Sequence, residues 1–217
     1  MLERGFEHHP GAAAAALSVL QSVLATIPIE RAGARLLGVS GLSPLLCREG
    51  AIGAVAANYL GCAVRPVRAL YFDKSVENNW SLGWHQDRTI AVAERREVEG
   101  FGPWTVKAGL VHVEPQPELQ AMMVTLRVHL DPVDEANAPL LVAPASHRLG
   151  RIPQVDIASV VKRCGTAACK AEAGDVWAYS TPILHASNVA AHPRRRRVLQ
   201  IDYAATGLPG GLQWLGV

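Results

Sequence analysis

Apolar positions along this chain follow two different periods. In the first sixty residues they recur at helical spacing over residues 13–24 and 47–60, and the second run stops at Gly61, a residue suited to closing a helix. Beyond Val64 the pattern shortens. Runs that alternate or stay apolar between Gly, Pro and Asp breaks predict strands over 68–72, 122–130, 140–142, 175–179, 183–185 and 197–203. Helices first and β structure afterwards describe one mainly β domain over 1–217, with helices at about 12–62 packed on a barrel-like core at about 64–204. A long segment before Met122 carries Gly100, Gly102, Pro103, Gly109, Pro115 and Pro117 and predicts a loop longer than most connections. Such loops often close over a site, which makes Trp104, Lys107 and His112 candidate substrate contacts. The alternative is an ordered surface loop whose Trp104 packs on the core.

The strand pattern gives the polar residues their meaning. In Trp84-His85-Gln86-Asp87 the alternation of a strand sends His85 and Asp87 to one side and Gln86 to the other. About a hundred residues later an apolar strand, Thr181-Pro182-Ile183-Leu184-His185, ends on a second histidine. Two imidazoles and one carboxylate can occupy one face of an octahedral metal and leave three positions open, the facial triad of non-haem Fe(II) oxygenases. Eleven residues further, inside Arg194-Arg195-Arg196-Arg197, Arg196 shares its strand parity with Val198, Gln200 and Asp202, while Arg197 shares its parity with Leu199, Ile201 and Tyr203. One of these faces can look at the metal. A guanidinium there would grip an organic-acid cosubstrate through two parallel hydrogen bonds. Arg196 is assigned that role, and Arg194, Arg195 and Arg197 are read as a solvated basic face.

With these residues assembled, the chain resembles the phytanoyl-CoA dioxygenase family over roughly residues 68–204. The resemblance implies a double-stranded β-helix (a jelly roll, cupin-like) and an enzyme that uses Fe(II), 2-oxoglutarate and O2. It implies His85, Asp87 and His185 as metal ligands and Arg196 as the anchor of 2-oxoglutarate. Ser187, two residues after the distal histidine, and Lys74, ahead of the first ligand, are implied cosubstrate contacts. The family's Pro-Gly-Ser/Thr-His turn is matched by Pro144-Ala145-Ser146-His147, with alanine in place of glycine. A tryptophan common on the family's middle strand is replaced by Arg127. Arg127 and Thr125 point to the presumed inner face, where a polar side chain needs a partner, so both join the cosubstrate candidates. The activity implied is oxidation, typically hydroxylation, of an unactivated C–H, with release of succinate and CO2. Halogenases of related design leave the carboxylate position vacant for chloride, so an intact Asp87 favours oxygenation.

Composition narrows the setting. A formal charge of +2 over 217 residues gives no reason to expect nucleic acid, and no apolar run reaches membrane-spanning length. Leu2-Glu3-Arg4 through His9 is a poor start for a secretion signal. Cys47, Cys62, Cys164 and Cys169 lack the paired spacing of a zinc site and are too sparse for a disulfide framework, so a cytoplasmic enzyme with free thiols is expected. The partner expected is a small-molecule substrate. His129 is expected to be a hydrogen-bonded structural histidine, His147 a structural turn residue, and His8, His9 and His192 exposed. Two other readings stay open: a metal hydrolase built on the same three ligands, and a cupin-like binding protein without catalysis.

Overall fold

The computed structural model describes residues 3–28 and 33–217; residues 1, 2 and 29–32, Leu2 of the N-terminal stretch among them, lie outside the described residues. The elements run β1 (Phe6–His9), α1 (Leu17–Leu24), β2 (Ala34–Leu36), α2 (Ser43–Leu46), α3 (Gly53–Leu60), β3 (Arg65–Lys74), β4 (Leu82–His85), β5 (Ile90–Ala91), β6 (Trp104–Lys107) and β7 (Leu110–Val113). They continue with α4 (Pro117–Ala121), β8 (Val124–His129), β9 (Leu140–Val142), α5 (Ile157–Cys164), β10 (Ala167–Cys169), β11 (Val176–Ser180), β12 (His185–Ser187) and β13 (Arg196–Ala204). Among the described residues all paired strands are antiparallel. A six-stranded sheet has the order β1-β11-β8-β13-β3-β2 and a four-stranded sheet the order β10-β9-β12-β4, which together make the jelly roll.

The period-2 pattern sorts the side chains of the larger sheet. Ala69 and Tyr71 on β3, Val124, Leu126 and Val128 on β8, Val176 and Ala178 on β11, and Leu199, Ile201 and Tyr203 on β13 form one buried face. That face packs against Leu20 and Leu24 of α1 and Val55 and Ala56 of α3. Each fully buried Leu, Ile or Val side chain among them contributes roughly 1.5–3 kcal/mol of transfer free energy. The opposite parity, Arg68, Leu70, Phe72, Arg127, Arg196 and Gln200, faces the smaller sheet and lines the cavity between them. One face therefore stabilises the domain, and the other is left for chemistry.

Several elements differ from the sequence reading. The helix expected over 47–60 begins only at Gly53, because the chain folds back on itself there: a Cβ at Gly53 would lie 1.8 Å from the Cys47 carbonyl oxygen. The segment before Met122 is no open loop. Strands β6 and β7 form a hairpin that pairs with β5 in a third sheet. Its turn is built on Ala108 and Gly109, both at positive φ (51° and 79°), the signature of the two-residue type I′ connection. Helices do not simply precede strands either. Strand β1 pairs with β11 at one edge of the large sheet, and β2 pairs with β3 at the other. Polar edge strands carry a weak apolar signal, so the N-terminal segment reads as a terminal stretch with His8 and His9 exposed. Instead His8 stacks on Trp177 at 4.5 Å and bonds Asp175 at 2.9 Å.

In the turn Pro144-Ala145-Ser146-His147, Ala145 has a φ of 61°, the left-handed region in which a Cβ costs about 1–2 kcal/mol. Ser146 anchors this turn to the strand of the distal histidine, its Oγ donating to the Ala143 carbonyl and accepting from the Leu184 amide. Ala145→Gly should therefore raise stability, by up to about 1 kcal/mol after the greater freedom of glycine in the unfolded chain is subtracted. Urea unfolding checks this, and a destabilised variant would contradict it.

Candidate metal centre and cosubstrate pocket

His85 ends β4 and His185 begins β12, and the register of that antiparallel pair sets them directly opposite each other. Their ring centroids are 4.3 Å apart. Asp87, two residues on, completes a cluster whose ligand atoms all lie within 4.8 Å of one another. Backbone carbonyls orient both imidazoles: Nδ1 of His85 lies 2.7 Å from the Gly83 oxygen and Nδ1 of His185 lies 3.0 Å from the Ile183 oxygen. A carbonyl only accepts, so each Nδ1 carries the proton and each Nε2 keeps its lone pair for a metal. Burial lowers the pKa of His185 to about 4, which keeps that ring neutral.

The carboxylate is prepared in the same way. Burial alone would raise the pKa of Asp87, but the Arg68 guanidinium and the two imidazoles hold it well below the usual range. Arg68 donates to Oδ2 of Asp87 at 3.0 Å and to Asp202 at 2.6 Å, and Gln200 reaches the same Oδ2 at 3.5 Å. The other oxygen, Oδ1, is left for a metal. Thr125 stands behind this network. Its hydroxyl donates to Asp202 at 3.0 Å and bonds Thr181, so it does not reach the cavity as a cosubstrate contact; it supports the acid that supports Arg68. Gln86 points the other way, as alternation requires, and ties the loop to the Pro182 and Gly150 carbonyls.

The three clustered residues open on a cavity of about 130 Å³, also lined by Arg127, Ser187, Arg196, Gln200 and Lys107. Arg196 is buried, donates to the Ala138 carbonyl, and keeps a buried Nε without a partner. Nε of Arg127 and Oγ of Ser187 are buried and unpartnered too. Unsatisfied donors of this kind are costly and fit an anionic oxygen ligand. Burial, together with Arg127, lowers the pKa of Arg196. Lys74 sits opposite Arg196 in the β3–β13 register, and burial plus Arg196 and Arg127 lower its pKa to about 8. Its ammonium donates to the Asn188 carbonyl at 2.7 Å and lies behind the cavity wall. The neighbouring arginines face outward: Arg194 pairs with Asp134, Arg195 with Asp73 at 2.8 Å, and Arg197 with Asp131 at 2.7 Å.

Of the three candidate substrate contacts, only Lys107 lines the cavity. Trp104 packs instead with the apolar cluster of Val67, Ile90, Phe101 and Val113, because the hairpin turns that face away from the metal. His112 is fully buried on β7, its Nδ1 bonded to the Leu110 carbonyl. Arg68 and Arg35 were missed. Arg68 could have been suspected from its parity with Leu70 and Phe72, but its acid partners come from residues 19 and 134 positions away. Nothing in the sequence around Arg35, on an edge strand of three residues, marks it.

His129 departs from the expectation of a hydrogen-bonded residue, since both ring nitrogens are buried without partners. Burial, with Arg127 and Arg196 nearby, lowers its pKa to about 3. The unfolded chain binds this proton near pH 6.5 and the folded chain only near pH 3, so His129 lowers stability as pH falls through that window, by about 1.4 kcal/mol per unit. His129→Leu should flatten the acid limb of unfolding free energy against pH, and an unchanged slope would contradict this.

Solved structures share the architecture. EctD from S. alaskensis, with 2-oxoglutarate and 5-hydroxyectoine, is 18% identical with a TM-score of 0.65, over 99% of this chain and 77% of that one. HygX from Streptomyces hygroscopicus, with nickel, 2-oxoglutarate and hygromycin B, is 13% identical with a TM-score of 0.63, over 93% and 83%. The non-haem α-ketoglutarate-dependent epimerase SnoN from nogalamycin biosynthesis is 16% identical with a TM-score of 0.63, over 96% and 87%. A search of curated proteins finds no match. At these identities the neighbours speak for the fold. The family model of phytanoyl-CoA dioxygenase matches residues 51–198, from the third helix to the strand of Arg196, and by that match the chain belongs to this family of Fe(II)- and 2-oxoglutarate-dependent oxygenases.

Proposed function

We propose that this protein is a non-haem dioxygenase that hydroxylates an unactivated C–H of a small organic metabolite at the expense of 2-oxoglutarate. One observation carries the reading: a single cavity joins two imidazoles with free Nε2 atoms and a carboxylate to a buried guanidinium whose Nε has no partner. His85, Asp87 and His185 would hold Fe(II), and Arg196 the far carboxylate of 2-oxoglutarate. Fe(II), 2-oxoglutarate and O2, when bound, supply the oxidising chemistry and yield succinate and CO2.

The chain's own residues select, orient and exclude. Arg68 and Gln200 hold Asp87 so that one oxygen faces the metal position, and backbone carbonyls hold both imidazoles in the ligating tautomer. Ser187 and Arg127 offer further donors to the cosubstrate, with Lys74 behind them. Leu70, Phe72, Trp80, Leu82 and Leu140 give the cavity an apolar wall that keeps water from the reacting carbon. Asp87 fills the position that a halogenase would leave for chloride, which favours oxygenation. A hydrolase would have no use for Arg196, Arg127 and Ser187 beside its metal. Among the described residues no helix is long and apolar enough to cross a membrane, and all four cysteines are free.

Turnover of 2-oxoglutarate tests the proposal. Purified protein with Fe(II), O2, 2-oxoglutarate and ascorbate, the reductant that takes up the second oxidising equivalent when no primary substrate is present, should release succinate and CO2 in equal amounts. Intact 2-oxoglutarate after incubation with folded protein would instead support a hydrolase or a binding protein.

A further inference from the structure

Among the described residues, five cationic side chains, Arg35, Arg68, Lys107, Arg127 and Arg196, line the cavity against one carboxylate, Asp87. Fe(II) and doubly charged 2-oxoglutarate carry equal and opposite charge, so loading the site leaves this excess in place. Arg68 is matched by Asp87 and Asp202. Arg196 and Arg127 are the groups already assigned to the cosubstrate. Arg35 and Lys107 remain.

They arise from elements outside the metal-bearing strands. Arg35 lies on edge strand β2, opposite Leu70, and Lys107 on the added hairpin. Lys107 donates to the Thr89 hydroxyl at 2.9 Å. Arg35 makes no hydrogen bond or ion pair among the described residues, and its Nε is buried without a partner. Burial and the Arg68 charge lower the pKa of both groups. A cation drawn partly out of water beside other cations is unfavourable unless an anion joins it. Leu70, Phe72 and Leu82 line the same cavity and would suit a hydrocarbon segment.

We propose that the primary substrate is a small organic acid whose oxyanion group, a carboxylate or phosphate, is bound by Arg35 and Lys107 while its apolar carbons lie toward the metal. This rests on the dioxygenase reading of the cavity. The test uses anaerobic protein with Fe(II) and saturating 2-oxoglutarate, whose weak visible charge-transfer band reports the cosubstrate chelate. Hexanoate, hexanamide and inorganic phosphate are titrated in turn.

Hexanoate or phosphate should perturb the band without abolishing it, at concentrations at least tenfold below those needed for hexanamide. In Arg35→Gln and Lys107→Met the band should still form, showing a folded site, and the preference for the anion should fall at least fivefold. A response to phosphate alone would assign the oxyanion to a phosphate. Equal responses to hexanoate and hexanamide, no response to either anion, or an undiminished preference in both variants would overturn the proposal. Failure of the band to form before any probe is added would strike the dioxygenase reading itself, and this inference with it.

Discussion

Iron-dependent release of succinate should fall at least 100-fold in His185→Ala and in Asp87→Ala. The floor for this figure comes from the residues that merely orient metal ligands, whose loss typically costs 10–100-fold. Removing a ligand does more. His185 is buried beside His85, and among the described residues no other histidine joins the cluster of His85, Asp87 and His185 to take its place. Asp87→Ala also strips Arg68 of one of its two acid partners and leaves a buried cation less well matched. Measured iron content separates the causes. Both variants should lose bound Fe(II) together with turnover, and a variant that keeps full activity would show that the metal lies elsewhere.

Arg196→Ala should weaken 2-oxoglutarate by roughly 10- to 100-fold in KM, because a charge-assisted hydrogen bond contributes about 1.5–3 kcal/mol and each 1.4 kcal/mol is a factor of ten. The comparison with Arg197→Ala makes this sharp. Arg197 adjoins Arg196 in sequence but points the other way, where it holds Asp131 through its backbone amide, Nε and Nη2. Its replacement should change KM for 2-oxoglutarate less than twofold. An effect at Arg197 larger than that at Arg196 would mean the cosubstrate approaches from the opposite face of β13.

These positions differ in how far the sequence alone revealed them. The two parities of β13 were legible because alternation is a local rule: Leu199, Ile201 and Tyr203 enter the apolar core, and Arg196 and Gln200 the cavity. The two histidines and Asp87 were legible only as a set: His-x-Asp alone is a common pattern, and the distal His185 with Arg196 eleven residues later gave it weight. What stayed hidden depends on register and on distant pairings. Arg68 meets Asp202 only because β3 runs antiparallel to β13 with those residues opposed, and no periodicity encodes that alignment. The hairpin of β6 and β7 hid behind its glycines and prolines, which mark turns as readily as loops, and with it went the placement of Trp104. Arg35 sits on an edge strand too short to produce a pattern.

Anaerobic addition of Fe(II) and then 2-oxoglutarate to the metal-free protein tests the central claim most directly. A weak visible charge-transfer band should appear only when both are present, should be absent in His185→Ala, and should require far more 2-oxoglutarate in Arg196→Ala. A correctly folded protein that binds Fe(II) yet shows no band at any concentration of 2-oxoglutarate would contradict the account.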